Sequence, residues 1–75
     1  HQMFDLFIAN SGTPILIELL PLLNKRLNPG GTAILSGILR EEEQLIEQRI
    51  IEAYFTIVEK WCGDMFLSYV IRLKD

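Results

Sequence analysis

Phe4-Asp5-Leu6-Phe7-Ile8-Ala9-Asn10 is an apolar run interrupted only by Asp5. One helix length later comes Leu27-Asn28-Pro29-Gly30-Gly31, and then a second apolar run, Thr32 to Leu39, ending in Leu35-Ser36-Gly37-Ile38-Leu39. Short continuous apolar runs of this kind suit strands covered on both faces, as in parallel sheets. Two parallel strands joined by a helix place functional groups in the crevice just past their carboxyl ends. Asn10 and Ser36-Gly37 fall at those ends and are the candidate site residues.

The connecting segment supports this reading. Asn10-Ser11-Gly12-Thr13-Pro14 has turn chemistry, with Thr13 expected to cap the next helix and Pro14 suited to its first turn. Leu16, Leu19, Leu20, Leu23 and Leu27 recur at helical spacing, while Glu18, Lys25 and Arg26 lie elsewhere on the circumference. Pro21 inside this pattern is expected to bend or split the helix. Asn28-Pro29-Gly30-Gly31 is expected to stop it, with glycine in the left-handed conformation.

Arg40-Glu41-Glu42-Glu43 opens a second helix, whose apolar face is expected from Leu45, Ile46, Ile50, Ala53 and Tyr54. Three adjacent carboxylates splay around a helix and do not converge on a cation. Phe55 to Trp61 reads as a third strand. Met65 to Lys74 reads as a fourth, with Met65, Leu67, Tyr69, Ile71 and Leu73 on one face, and Cys62-Gly63-Asp64 makes the hairpin between them. The predicted order is strand, helix, strand, helix, strand, strand: an α/β sheet with an antiparallel last strand.

Composition narrows the functional classes. Seventy-five residues make one small domain, and the apolar fraction of 49% with net charge −3 describes a folded core. No cluster of Lys and Arg argues for nucleic acid. Cys62 is the sole cysteine and His1 the sole histidine, so neither a disulfide nor a metal site is expected, and a reducing cytoplasmic compartment is the simplest. The apolar stretch from Ile15 to Leu23 is broken by Glu18 and Pro21 and is too short to span a bilayer. The sequence opens His1-Gln2-Met3, as expected of a piece of a longer chain.

Three segments carry a family likeness: Phe4 to Asn10; Ile17-Glu18-Leu19-Leu20-Pro21 leading to Leu27-Asn28-Pro29-Gly30-Gly31; and Leu35-Ser36-Gly37-Ile38-Leu39. Together they resemble the C-terminal half of class I S-adenosylmethionine-dependent methyltransferases, and among these the PrmA family, which methylates a ribosomal protein. The Pro-Gly-Gly element is common to the superfamily. The Ala9-Asn10 ending combined with Leu35-Ser36-Gly37-Ile38-Leu39 is the narrower likeness. Asn10 is followed by Ser11-Gly12-Thr13, so the Asn-Pro-Pro-aromatic signature of glutamine-methylating relatives is absent.

The resemblance implies a Rossmann-like methyltransferase sheet, residues 1–75 being the C-terminal half of the catalytic domain. It implies S-adenosyl-L-methionine as cofactor in the intact parent and amino groups of a ribosomal protein as substrate. Asn10 would then orient the amine or the methionine part of the cofactor, with Ser36 and Gly37 against the substrate, Gly37 allowing close approach. Without the family, Asn10 also reads as a turn residue bonded to its own backbone, and Gly37 as a strand end with an unusual backbone angle. Trp61, Phe66 and Tyr69 could wall a site, although core or interface packing is the commoner fate of aromatics.

No Gly-x-Gly-x-x-Gly loop and no acidic strand end for a ribose occur in the sequence, so the piece alone is expected to be inactive. By the same likeness the strands lie side by side as first, second, fourth, third. The Phe4–Ala9 strand is then a raw edge, through which the piece is expected to form a homodimer. The rival readings are a methyltransferase of another substrate and a non-enzymatic α/β module that binds a partner through this edge.

Overall fold

Residues 3–74 are described by the computed structural model. Strand β1 (Phe4–Asn10) leads through Ser11-Gly12 into helix α1 (Thr13–Arg26), and strand β2 (Leu27–Leu39) follows at once. A single turn of 3-10 helix (Arg40–Glu42) precedes helix α2 (Glu43–Glu52), and strands β3 (Phe55–Cys62) and β4 (Phe66–Leu73) form the closing hairpin. The sheet order is β1-β2-β4-β3, with β1 and β2 parallel and β4 antiparallel to both neighbours. Element order and strand order are those expected.

Helix α1 starts at Gly12, whose extended backbone makes it the N-cap, and Pro14 sits in the first turn where its missing N–H costs nothing. Thr13 does not cap. Its side chain is buried and its hydroxyl has no hydrogen-bond partner, because this residue already lies inside the helix and faces the core. Pro21 does not split the helix, which continues as one element to Arg26. Lys25 and Arg26 complement the negative end of its dipole.

The helix also ends differently from expectation. Leu27 is the C-cap, in extended conformation, its N–H donating to the Leu23 carbonyl, so no glycine closes the helix. Asn28-Pro29-Gly30-Gly31 instead forms a bulged start to β2. Phe4 pairs with Leu27 and Leu6 with Thr32, which leaves these four residues opposite Asp5. Asn28 Nδ2 donates to Asp5 Oδ1 at 2.7 Å, and Gly30 turns the chain at φ +78°.

Both helices lie on one face of the sheet. Leu16, Leu20 and Leu23 of α1 and Ile46 and Ile50 of α2 pack against Ala9, Ala33, Leu35, Leu67, Tyr69 and Ile71. Each fully buried aliphatic side chain here contributes about 1.5–3 kcal/mol. The opposite face is uncovered: Leu6 and Ile8 are 53% and 64% exposed on β1, and Trp61 and Phe66 are exposed on the far strands β3 and β4. Cover on both faces, expected for β1, is therefore absent, because the chain supplies only one helical layer. Leu45 and Tyr54 also fall outside the core, being exposed. Tyr54 closes α2 in the left-handed region at φ +66°, where its N–H donates to the Ile51 carbonyl and its own carbonyl accepts from Lys74.

In the hairpin, Ile57 pairs with Ile71 but Glu59 with Val70, so Val58 is an extra, bulged residue on the outer strand. After the bulge Lys60 points to the helical side, where it ion-pairs with Glu43 and, at 2.7 Å, with Glu47.

Candidate active site

Asn10 ends β1, and its register partner on β2 is Ser36. Two elements fix this point. The β1–β2 ladder stops here, and β2 bulges against its other neighbour: Leu35 pairs with Tyr69 and Ile38 with Leu67, so that Ser36 and Gly37 stand opposite Ser68 alone. Such a bulge re-aims side chains and ends pairing. It needs Gly37, whose φ of +80° is costly for any residue with a Cβ.

The sequence-predicted residues are therefore brought together at one sheet corner, beside the amino end of α1. Ser36 Oγ lies 3.5 Å from the Ala9 carbonyl, as its donor. Asn10 is exposed, while Ser36 and Gly37 are half-buried. A Cβ built on Gly37 would lie 2.6 Å from Asn10 Oδ1 and 3.2 Å from the Ser11 carbonyl oxygen. Asn10 itself fills the place of the missing side chain. The sequence-level signal for this was a glycine directly after the serine at a strand's carboxyl end.

The aromatic wall does not form. Tyr69 is fully buried under α2, its hydroxyl donating to Glu47 Oε2 at 2.7 Å, whereas Trp61 and Phe66 lie exposed on the uncovered face. Lys60 holds the Glu47 carboxyl below its usual range, with the Tyr69 hydroxyl adding to the effect. Burial, then the Glu47 hydrogen bond, pushes the Tyr69 phenol upward, and the Glu43 and Glu47 carboxylates raise the Lys60 ammonium. This is a tie between α2 and the hairpin, and sequence reading missed it. Glu43 and Glu47, four apart on one helix face, were its only local sign. Cys62 is exposed. Among the described residues no group of His, Cys, Asp and Glu could hold a metal ion, and no helix is long and apolar enough to cross a membrane.

A crevice of about 310 Å³ opens between the helices near the starts of β2 and β3, lined by Ile17, Pro21, Asn24, Arg49 and Tyr54 among others. Asn24 Nδ2 donates to the Ala53 carbonyl at 2.6 Å across it. None of Asn10, Ser36 and Gly37 lines it. At the site corner the chain offers a carboxamide, a hydroxyl and a backbone turn on an open surface. Chemically these can orient a polar ligand, and they include no strong acid, base or nucleophile.

Comparison with known proteins places this corner in context. Residues 1–73 match the family model described as ribosomal protein L11 methyltransferase (PrmA). The ribosomal protein L11 methyltransferase of Desulforapulum autotrophicum is 41% identical over 73 residues, covering 97% of this chain and 24% of that protein. That of Caulobacter sp. is 33% identical over 69 residues, 92% of this chain and 24% of that protein. The chain thus spans about a quarter of the length of these curated relatives. The crystal structure of ribosomal protein L11 methylase from Lactobacillus delbrueckii subsp. bulgaricus superposes with TM-score 0.94 at 35% identity, over 99% of this chain and 38% of the other. A methyltransferase from Pyrococcus furiosus shares the fold at TM-score 0.72 and 22% identity, over 100% of this chain and 43% of the other.

Proposed function

This chain belongs to the PrmA family of ribosomal protein L11 methyltransferases, and from that membership we propose that it is the C-terminal half of a catalytic domain. The whole protein would transfer methyl groups from S-adenosyl-L-methionine to amino groups of a ribosomal protein in the cytoplasm. The observation that carries this reading is the meeting of Asn10, at the carboxyl end of β1, with Ser36-Gly37, which do not end β2 as expected but form its bulge where the parallel ladder stops, within a match that spans residues 1–73.

The bound cofactor supplies an electrophilic methyl group on a sulfonium. A methyl group so held would be open to attack by a neutral amine, and the part of this chain would be to align that amine through Asn10 and Ser36. Such a reaction needs alignment and exclusion of water more than acid–base machinery. The absence of a strong base at the corner is consistent with that demand. The exposed Asn10 carboxamide orients the incoming amine or the methionine end of the cofactor, and Ser36 adds a hydroxyl beside it. These groups fit one end of the cofactor only. The glycine loop and the ribose-binding acid lie in no part of this sequence.

A chimera tests the reading. The matching quarter of the Desulforapulum relative is replaced by this chain, and transfer of labelled methyl groups to ribosomal protein L11 is measured. Transfer within about tenfold of the unaltered relative is expected. A folded chimera that binds cofactor but methylates nothing would overturn the assignment.

A second reading rests on a different observation, the position of β1 at the sheet edge. The edge carries no Lys or Pro, and its one charge, Asp5, already accepts a hydrogen bond from Asn28. Antiparallel pairing about Phe7 would set Phe7 against its own copy and Leu6 against Ile8, with Asp5 facing Ala9 and Phe4 facing Asn10 outside this apolar centre. The isolated chain is therefore expected to sediment as a twofold dimer with an eight-stranded sheet. Ile8→Lys should weaken it by tenfold or more on the order of the cost of a charge in an apolar pair, with Trp61→Lys as a control that leaves it unchanged. A monomer at high concentration would refute the pairing.

A further inference from the structure

Gly37 has no side chain at a point where other groups of the chain crowd its α-carbon. What lies there is specific: Asn10 Oδ1 stands 2.6 Å from the position a Cβ would take, with the Ser11 carbonyl oxygen at 3.2 Å. Gly30, the other glycine with positive φ, would meet nothing within 4 Å. The two are thus used differently, Gly30 for backbone conformation alone and Gly37 for conformation and a contact.

We propose that Gly37 is a positioning residue for Asn10: the β2 bulge at Ser36-Gly37 is a seat into which the Asn10 carboxamide is lodged, so that its orientation is set before any ligand arrives. Three constraints converge on the seat. The ladder fixes the Asn10 backbone opposite Ser36. The bulge turns the Gly37 α-carbon toward it, in a conformation open to glycine. The Ser11 carbonyl oxygen crowds the same Gly37 face, 3.2 Å from where a Cβ would stand. An exposed Asn side chain otherwise samples several rotamers, and a ligand that needs one of them must bear the ordering cost. A seated carboxamide has lost that freedom in folding, which is what preorganisation of a site requires. The inference rests on the proposed role of Asn10 for its functional consequence, but the seat itself is a property of these 75 residues.

Two measurements separate the seat from the function. On the chain itself, a double-mutant cycle compares Gly37→Ala in the natural sequence and with Asn10→Ala. The cost of the left-handed backbone is common to both and cancels. The collision with Oδ1 is present only in the first and drives the carboxamide off its rotamer, so Gly37→Ala should lower the folding equilibrium constant about 2- to 10-fold more when Asn10 is present. Should the single variant not fold, the Asn10 side-chain amide of the natural chain still reports by NMR relaxation, with an order parameter above about 0.6 expected for a seated group. Equal costs in both backgrounds, or a freely moving amide, would overturn the proposal. In the chimera, Gly37→Ala should lower kcat/KM, and should lower it no further once Asn10 is Ala. A merely structural role would lower activity equally in both backgrounds and would sink the positioning role. A fully active Asn10→Ala chimera would count against the function of Asn10 while leaving the coupling on the chain to judge the seat.

Discussion

Titrated with S-adenosyl-L-methionine in a calorimeter, the 75-residue chain is expected to give no binding heat up to about millimolar ligand. The five glycines fall at positions 12, 30, 31, 37 and 63, and no spacing among them makes a Gly-x-Gly-x-x-Gly loop. The parallel strands end in Asn10 and in Leu39 followed by Arg40, so neither presents a carboxylate to a ribose. What remains is Asn10, Ser36 and nearby backbone. A few hydrogen bonds at about 1–1.5 kcal/mol each do not reach the roughly 4 kcal/mol that a millimolar dissociation constant represents, once ligand immobilisation is counted. Micromolar binding would mean that the corner is more complete than its residues suggest.

Asn10→Ala in the chimera carries the second large effect. If the carboxamide orients the amine or the cofactor, turnover should fall by about 10- to 1000-fold with the melting temperature nearly unchanged. If Asn10 only serves the turn, stability should fall by about 1 kcal/mol and activity per folded molecule should persist. Among the described residues no hydrogen bond ties the Asn10 side chain to the Ser11–Thr13 backbone, and its oxygen stands 2.6 Å from where a Gly37 Cβ would lie. Activity per folded molecule and melting temperature, measured on one preparation, decide between them.

The hairpin strand β4 was legible in its body, where Leu67, Tyr69 and Ile71 recur at every second position and all three are buried, whereas Met65, expected on the same face, lies before the strand and is exposed. Helix α1 was legible for the same reason at its own period. The start of β2 was not. Asn28-Pro29-Gly30-Gly31 has the chemistry of a helix stop, and only its partner Asp5, 23 residues away, shows that it is a bulge within a strand. Thr13 misled because a hydroxyl before a helix is a local signal, while the burial that removed it from capping is not. The bare face of β1 has a related cause. An apolar run specifies that a strand wants cover on both faces, not that the same chain provides it. At the site, position along the strands identified Asn10, Ser36 and Gly37. Which of them touches which depends on a two-against-one register with β4, invisible in any one strand.

The bulge at Val58 bears on how many neighbours this sheet can accept. Its two outer strands are unlike. On β3 the extra residue twists the strand, Glu59 and Lys60 follow it, and Lys60 is tied back to α2. Such an edge is a poor template for further strands. On β1 no comparable guard exists. Were two copies to join at β1, the edges left outside would both be β3, and addition by this route would end at the pair.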